Sequence, residues 1–330
     1  MELRRLGTTD IEITPVGYGA WAIGGGGWSF GWGPQDDSES ISAIRHAVDS
    51  GVNWIDTAAI YGLGHSEEVV AAALAGMPES ERPYVFTKCG LIPDPADPML
   101  PNLRVGDPAS VRREIDASLK RLGVERIDLL QMHWPASDAP IEDYWGVLVE
   151  ARNAGKARAI GLSNHSVEQL ARAEAVGHVD SLQPPFSLVK RDAAGDVLPW
   201  CAANGTGVIV YSPMQSGLLT GAFDRARVES LPADDWRKKA PEFTTDLDAN
   251  LALVDALRSV AARLGTTPGV VAVAWTLAYP AVTGAIVGAR RPEQVDGWIA
   301  AGGVRLDDAT LDELDAALRS SGAGSGPTRP

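Results

Sequence analysis

An α/β fold closed into one (β/α)8 TIM barrel is predicted by three observations. Eight short apolar stretches recur along the 330 residues, each followed by a helical pattern. These stretches read as near-continuous apolar runs, the pattern of strands buried on both faces of a parallel sheet. No break in composition divides the chain, so the alternation fits one closed barrel better than an open doubly wound sheet. A single domain over residues 1–319 is expected, with an N-terminal β-hairpin and two extra helices. The Gly/Ser/Pro-rich residues 320–330 are expected to form a flexible tail.

Residues 4–14 alternate polar and apolar around Gly7-Thr8-Thr9-Asp10, which marks the hairpin. The first barrel strand, 16–20, runs into a loop with four consecutive glycines at 24–27 and with Trp21, Trp28, Phe30 and Trp32. A flexible aromatic loop directly after a strand suits the mouth of a pocket, and a packed surface loop fits the same residues. Its glycines match G-x-G-x-x-G in no register, so no Rossmann fingerprint is present. Further strands are expected at 52–56, 84–88, 127–132, 157–162, 181–183, 207–211 and 283–287. Helices are expected at 38–49, 66–75, 107–122, 141–153, 166–175 and 197–203. Four more follow at 249–263, 267–278, 292–300 and 307–318, and a Pro-rich loop covers 92–101. Ser66-Glu67-Glu68 and Asp107-Pro108 carry helix-start chemistry, and Gly155 stops the helix before it.

Composition narrows the function. With 29 basic and 43 acidic residues the net charge is −14, which argues against nucleic-acid and anionic-membrane partners. No apolar run approaches the roughly 20 residues of a membrane helix. The opening MELRRLGTTDIEITP lacks the apolar core of a signal peptide, so a cytoplasmic protein is expected. Cys89 and Cys201 read as small core residues.

Three successive strands end on polar groups: Asp56, Lys88 and His133. In a barrel these ends share one face. Taken singly, Asp56 fits a turn cap, Lys88 a surface-seeking side chain and His133 a satisfied core imidazole. Taken together, and with Tyr61 close behind Asp56, they fit proton donation by a phenol. Free tyrosine, with a pKa of about 10, is a poor acid at neutral pH. A neighbouring ammonium lowers that value, so Lys88 is expected to acidify Tyr61 while Asp56 holds Lys88. His133 would orient a substrate oxygen. A carbonyl protonated in this way takes hydride from a cofactor, since no side chain supplies it. No metal is expected, as the chain has neither HExxH nor a His/carboxylate cluster.

VNWIDTAAIYG, FTKCG, LLQMHWP, GLSNHS, SLQPPFSL and YSPMQSGLLTG, in this order over nearly the whole chain, resemble the aldo-keto reductase superfamily. QMHWP and QPPFSL resemble its bacterial short-loop members, which reduce small aldehydes. The resemblance implies a catalytic set of Asp56, Tyr61, Lys88 and His133. It also implies a nicotinamide dinucleotide stretched across the barrel top. Ala20, Trp21 and Asp56 would border it, Ser163, Asn164 and Gln183 would hold its carboxamide, and Tyr211 would stack on its ring. Ser212, Met214, Gly217 and Leu218 would surround the pyrophosphate, and Gly288, Ala289, Arg290 and Gln294 the adenosine end. Arg290 suits a 2′-phosphate, so NADPH is expected, with NADH also possible. Trp298 stands where many members place an Asn against adenine, and Phe186 replaces a frequent Tyr. The substrate would be a small carbonyl compound held by Trp21, Trp28, Trp134, Tyr61 and His133. The expected assembly is a monomer or small homo-oligomer. A competing reading is a nucleotide-binding regulatory subunit with slow reductase activity, like some family members.

Overall fold

The computed structural model describes residues 1–233 and 235–330. Eight parallel strands close a barrel in chain order. They are β1 (Val16–Gly19), β2 (Trp54–Asp56), β3 (Tyr84–Cys89), β4 (Ile127–Met132), β5 (Ala157–Ser163), β6 (Ser181–Gln183), β7 (Gly207–Tyr211) and β8 (Gly284–Gly288). The seam joins β8 to β1, with Ala285 opposite Val16 and Gly288 opposite Gly19.

Strand parity positions the site. Trp54, Phe86, Leu129, Ala159, Ile209 and Ile286 fill the barrel interior with Leu6, Ile11 and Ile13. Side chains two positions apart on a strand share a face. The next inward positions are therefore Asp56, Lys88, Gln131, Gly161, Tyr211 and Gly288. One step further stand His133 and Ser163. A polar layer thus lies on top of an apolar one. Below, the strands Arg4–Arg5 and Glu12–Ile13 pair antiparallel as the predicted hairpin. They deliver Leu6, Ile11 and Ile13 to the barrel floor. Trp54 donates its indole N–H to the Thr14 carbonyl at 2.8 Å. Its ring needs Gly17, where a Cβ would stand 2.1 Å from the indole.

Among the described residues ten helices surround the strands: α1 (Asp37–Asp49), α2 (His65–Leu74), α3 (Pro108–Leu122), α4 (Ile141–Asn153), α5 (Val167–Glu174), α6 (Val197–Asn204), α7 (Leu247–Leu264), α8 (Pro268–Leu277), α9 (Pro292–Asp296) and α10 (Asp308–Ser321). A five-residue helix, Arg225–Glu229, precedes α7. Caps explain several starts: Asp107 accepts from Ser110 N–H before α3, and Ser166 with Gln169 forms a capping box on α5. The long helices outside the strand–helix alternation, α7 and α10, pack on each other and supply the two extra helices. Among the described residues no single helix is long and apolar enough to cross a membrane.

Three expectations change. The Pro-rich loop is flanked by a small hairpin, Leu91–Ile92 with Leu103–Arg104. The helix expected over 292–300 stops at Asp296, because the chain turns at Gly297 and buries Trp298 in the core. The tail is docked rather than free. Arg191, largely buried, donates to the carbonyls of Leu188, Ala323 and Gly326. Arg191 N–H adds a bond to the Ser325 carbonyl at 3.0 Å, and Ala323 is buried.

Candidate active site

At the top of the barrel Lys88 is buried, and its ammonium is fully engaged. It donates to Asp56 Oδ2 at 2.6 Å, to the Thr57 carbonyl at 2.8 Å and to the Tyr61 hydroxyl at 3.4 Å. Asp56 Oδ1 accepts from Gln183 Nε2 at 2.8 Å. Gln183 also donates to Gln131 Oε1 at 3.3 Å, which ties β2, β4 and β6 together. A buried ion pair is sound only with such complete partners, because each charge has lost its water.

Tyr61 follows β2 in a tight 3-10 turn. Gly62, at φ 61°, needs to be glycine for space as well: a Cβ there would lie 2.0 Å from the Gly24 carbonyl oxygen. The glycine-rich loop therefore presses directly behind Tyr61. The Tyr61 ring meets His133 edge-on, with centroids 5.6 Å apart at 77°, and lies 6.1 Å from Trp28. The four residues read from strand ends and from Tyr61 thus converge on one spot.

The electrostatics correct one expectation. Burial, and then the Asp56 charge, push the Tyr61 phenol well above its ordinary pKa instead of below it. Asp56 offsets the Lys88 cation, so Tyr61 faces a nearly neutral pair and stays protonated at neutral pH. Burial pulls Lys88 down from its usual value, and Asp56 opposes that shift. Burial and the Lys88 charge hold His133 well below the usual histidine range, so its imidazole is neutral. Its Nδ1 has no partner among the described residues.

A supporting layer escapes the sequence reading. Thr87 donates to Glu67 Oε1 and Arg121 Nε donates to Glu67 Oε2, both at 2.6 Å. Glu67 is buried beside the strand that carries Lys88. Ser66 Oγ lies 2.9 Å from Thr57 Oγ1 and donates to the Ala20 carbonyl at 2.9 Å. Only helix-start chemistry was legible at Ser66 and Glu67. Gln131 carries a clearer signal, two residues before His133 on the same strand face.

Several of the residues expected around a dinucleotide stand at the same end of the barrel. Ser163 donates to the Gln183 carbonyl at 2.8 Å. Asn164, left-handed at φ 65°, donates to the His133 carbonyl at 3.0 Å and accepts from the Tyr211 hydroxyl at 2.8 Å. Ser212, Gln215, Ser216 and Gly217 have φ between 46° and 92°. Such a left-handed run bends backbone N–H groups toward a common concavity, which suits a phosphate. Leu218 itself is core, packed on Phe223 and Phe243, and Met214 is partly buried. Ala20 donates its N–H to the Asp56 carbonyl at 2.8 Å. Trp21 bonds the Phe30 carbonyl at 3.1 Å and touches Trp32 and Trp236, at centroid distances of 5.4 and 5.9 Å.

The chain from residue 15 to residue 319 matches the sequence model of the Aldo/keto reductase family. The chain belongs to the aldo/keto reductase family. It is 35% identical over 323 residues to aldo-keto reductase YhdN of Bacillus subtilis, covering 97% of this chain and 95% of that protein. It is 36% identical over 316 residues to the NADH-specific methylglyoxal reductase of Escherichia coli, covering 92% and 94%. A solved structure of a glycerol dehydrogenase from Gluconobacter oxydans superposes with a TM-score of 0.89 at 36% identity, covering 98% and 97%.

In this aldo/keto reductase the adenosine end departs from expectation. Gln294 Oε1 accepts the Arg290 N–H at 2.7 Å, and Gly288 is exposed, while the Ala289 carbonyl accepts from Tyr18 at 2.6 Å. The Arg290 guanidinium, however, is folded onto the aromatic loop. It donates to Gln35 Oε1, to the Trp32 carbonyl at 3.3 Å and to the Pro34 carbonyl. Trp298 is core, so the position expected near adenine presents no side chain to the rim. Phe186 stacks on Trp275 at 5.6 Å, which makes it a packing residue.

Proposed function

We propose that the chain reduces the carbonyl of a small aldehyde or ketone, reversibly, with Tyr61 as the proton donor. The observation that carries this reading is the buried Lys88 ammonium shared between Asp56, the Thr57 carbonyl and the Tyr61 hydroxyl. The left-handed turns at Ser212 and at Gln215–Gly217, with the Ser163–Asn164–Gln183 cluster, fit a nicotinamide dinucleotide, which supplies hydride when bound.

The side chains divide the work. His133 is neutral, so it can donate one N–H to the carbonyl oxygen and hold it beside Tyr61, but it does not act as the acid. Tyr61 keeps its proton until negative charge builds on that oxygen. The Lys88 ammonium then stabilises the phenolate being formed. Because this contact strengthens as charge develops, it lowers the barrier rather than tightening ground-state binding. Asp56 keeps Lys88 protonated in a dry site. General-acid catalysis of this kind contributes on the order of 100-fold or more.

NADPH is our proposed cofactor, with Arg290 as its 2′-phosphate ligand after release from Gln35 and Pro34. The resemblance to an NADH-specific relative, and the engagement of Arg290 by the loop, favour NADH as the alternative. A panel of aldehydes, ketones and alcohols run with NADPH and NADH side by side tests both readings. Tyr61→Phe should bind cofactor normally and turn over at least ~100-fold more slowly. Full activity in that variant would remove the acid assignment.

A further inference from the structure

Beside Trp134 at the barrel top stands a cation that the reduction chemistry does not use. Leu91 packs into the cluster of Trp28, Ala58, Ile60 and Tyr61. It stands directly opposite Arg104 in the small antiparallel hairpin. Opposed residues in such a pair project to the same side, so the Arg104 side chain leaves the hairpin beside the pocket. The guanidinium lies over the Trp134 ring at 4.3 Å, and Trp134 directly follows His133.

The hairpin is held in this place. Val105 N–H donates to the Gly90 carbonyl at 3.0 Å, and Ser137 Oγ bonds the Arg104 carbonyl at 3.4 Å. On the other side, Ser29 N–H in the aromatic loop donates to the Pro98 carbonyl at 3.0 Å.

Among the described residues the Arg104 guanidinium has no hydrogen-bond acceptor and no carboxylate within 4.0 Å. Four acids of the surrounding loops serve backbone N–H groups instead. Asp94 accepts from Ala96, Asp97 from Met99, Asp107 from Ser110, and Asp138 from Gly106. A guanidinium flat on an indole keeps its N–H edge open, and that edge matches a carboxylate or phosphate in a bidentate pair. In a chain of net charge −14, an unpaired arginine beside the pocket counters the general repulsion of anions.

We propose that Arg104 selects carbonyl substrates that carry an anionic group, a carboxylate or a phosphate, at the end remote from the carbonyl. This rests on the reductase reading above: Tyr61 and His133 take the carbonyl end, and Arg104 meets the other.

The test compares matched pairs. Succinic semialdehyde is run against butanal, and glyceraldehyde 3-phosphate against glyceraldehyde, and the ratio of kcat/KM within each pair is measured. Arg104→Gln should lower the ratio about tenfold in at least one pair, chiefly through KM, as expected for one charge-assisted contact. Arg104→Glu should lower it further. A drop confined to one pair identifies the anion as carboxylate or phosphate. The wild-type protein gives an independent reading. Raising ionic strength from about 0.01 M to about 1 M shortens the Debye length from about 30 to about 3 Å. The wild-type ratio should fall over that range. Turnover of the neutral aldehydes with ratios unchanged by both variants and by salt would overturn this proposal alone. No turnover of any member would overturn the reductase reading and this proposal with it.

Discussion

Asp56→Asn isolates the buried ammonium. In the parent protein Lys88 has three partners, and Asp56 is the only one that carries charge. The substitution keeps the size of the side chain and removes that charge. Breaking a buried ion pair from one side costs about 3–5 kcal/mol. Unfolding entropy of about 2.1 cal/mol/K per residue gives about 0.7 kcal/mol/K for 330 residues, so Tm should fall by about 4–7 °C at pH 7. The pH dependence is the sharper readout. Burial already lowers the Lys88 pKa and Asp56 opposes this, so the variant's value falls further. Between that folded value and the ordinary lysine value, the unfolded chain binds the proton and the folded chain does not. Stability therefore rises with pH in this window, by at most about 1.4 kcal/mol per unit. Denaturant titrations from pH 7 to 10 should show the deficit of Asp56→Asn shrinking as pH rises. Adding Lys88→Met should recover most of the loss, since no charge is then left without a partner. A variant within about 1 kcal/mol of the parent at pH 7, with a parallel pH curve, would refute the account of Lys88 as a buried cation held by Asp56.

Other predictions test separate features. Glu114 accepts from Gly90 N–H at 2.9 Å, and burial raises its carboxyl to about 7, so ionisation costs stability above that pH. Glu114→Gln should be more stable than the parent at pH 8, on the order of 2 kcal/mol, with the gain vanishing as pH falls through 7 toward 4.5. His165, bonded to the Ser163 carbonyl at 2.8 Å and the Tyr144 hydroxyl at 3.0 Å, is lowered to about 4 by burial. Stability should fall as pH drops from 6.5 to 4, and His165→Gln should show a shallower slope in urea titrations over that range. Trp236 meets Trp21 and Trp32 at 5.9 and 6.0 Å. Trp236→Ala should speed hydrogen exchange across residues 21–35 and leave the barrel strands unchanged.

Much of the fold was legible because buried parallel strands leave long apolar signatures. Residues 127–132, 181–183 and 207–211 match their strands at both ends. The hairpin at Leu91 and Arg104 was not legible, since its short strands are separated by a long Pro-rich connection with no tight-turn signature to pair them. The break after Asp296 depends on where Trp298 finds room, a tertiary effect that helix periodicity does not carry. The tail followed its composition in the sequence reading, yet Arg191, far away in the chain, holds its carbonyls. Asp56, Tyr61, Lys88 and His133 converge because strand ends and parity fix where side chains meet. Their pKa directions were harder to foresee. The expectation for Tyr61 weighed the cation without the desolvation and the Asp56 charge that accompany it. Trp236 was invisible as a neighbour of Trp21 because only the closed barrel brings residues so distant in the chain together.

The hairpin beneath the barrel bears on the side from which a proton can reach Lys88 and Tyr61. Leu6, Ile11, Ile13, Trp54 and Phe86 form a greasy plug under the Asp56–Lys88 pair. Such a plug offers a hopping proton no relay of hydroxyls or waters. On the reductase reading proposed above, a Tyr61 phenolate would draw its replacement proton from the rim side instead.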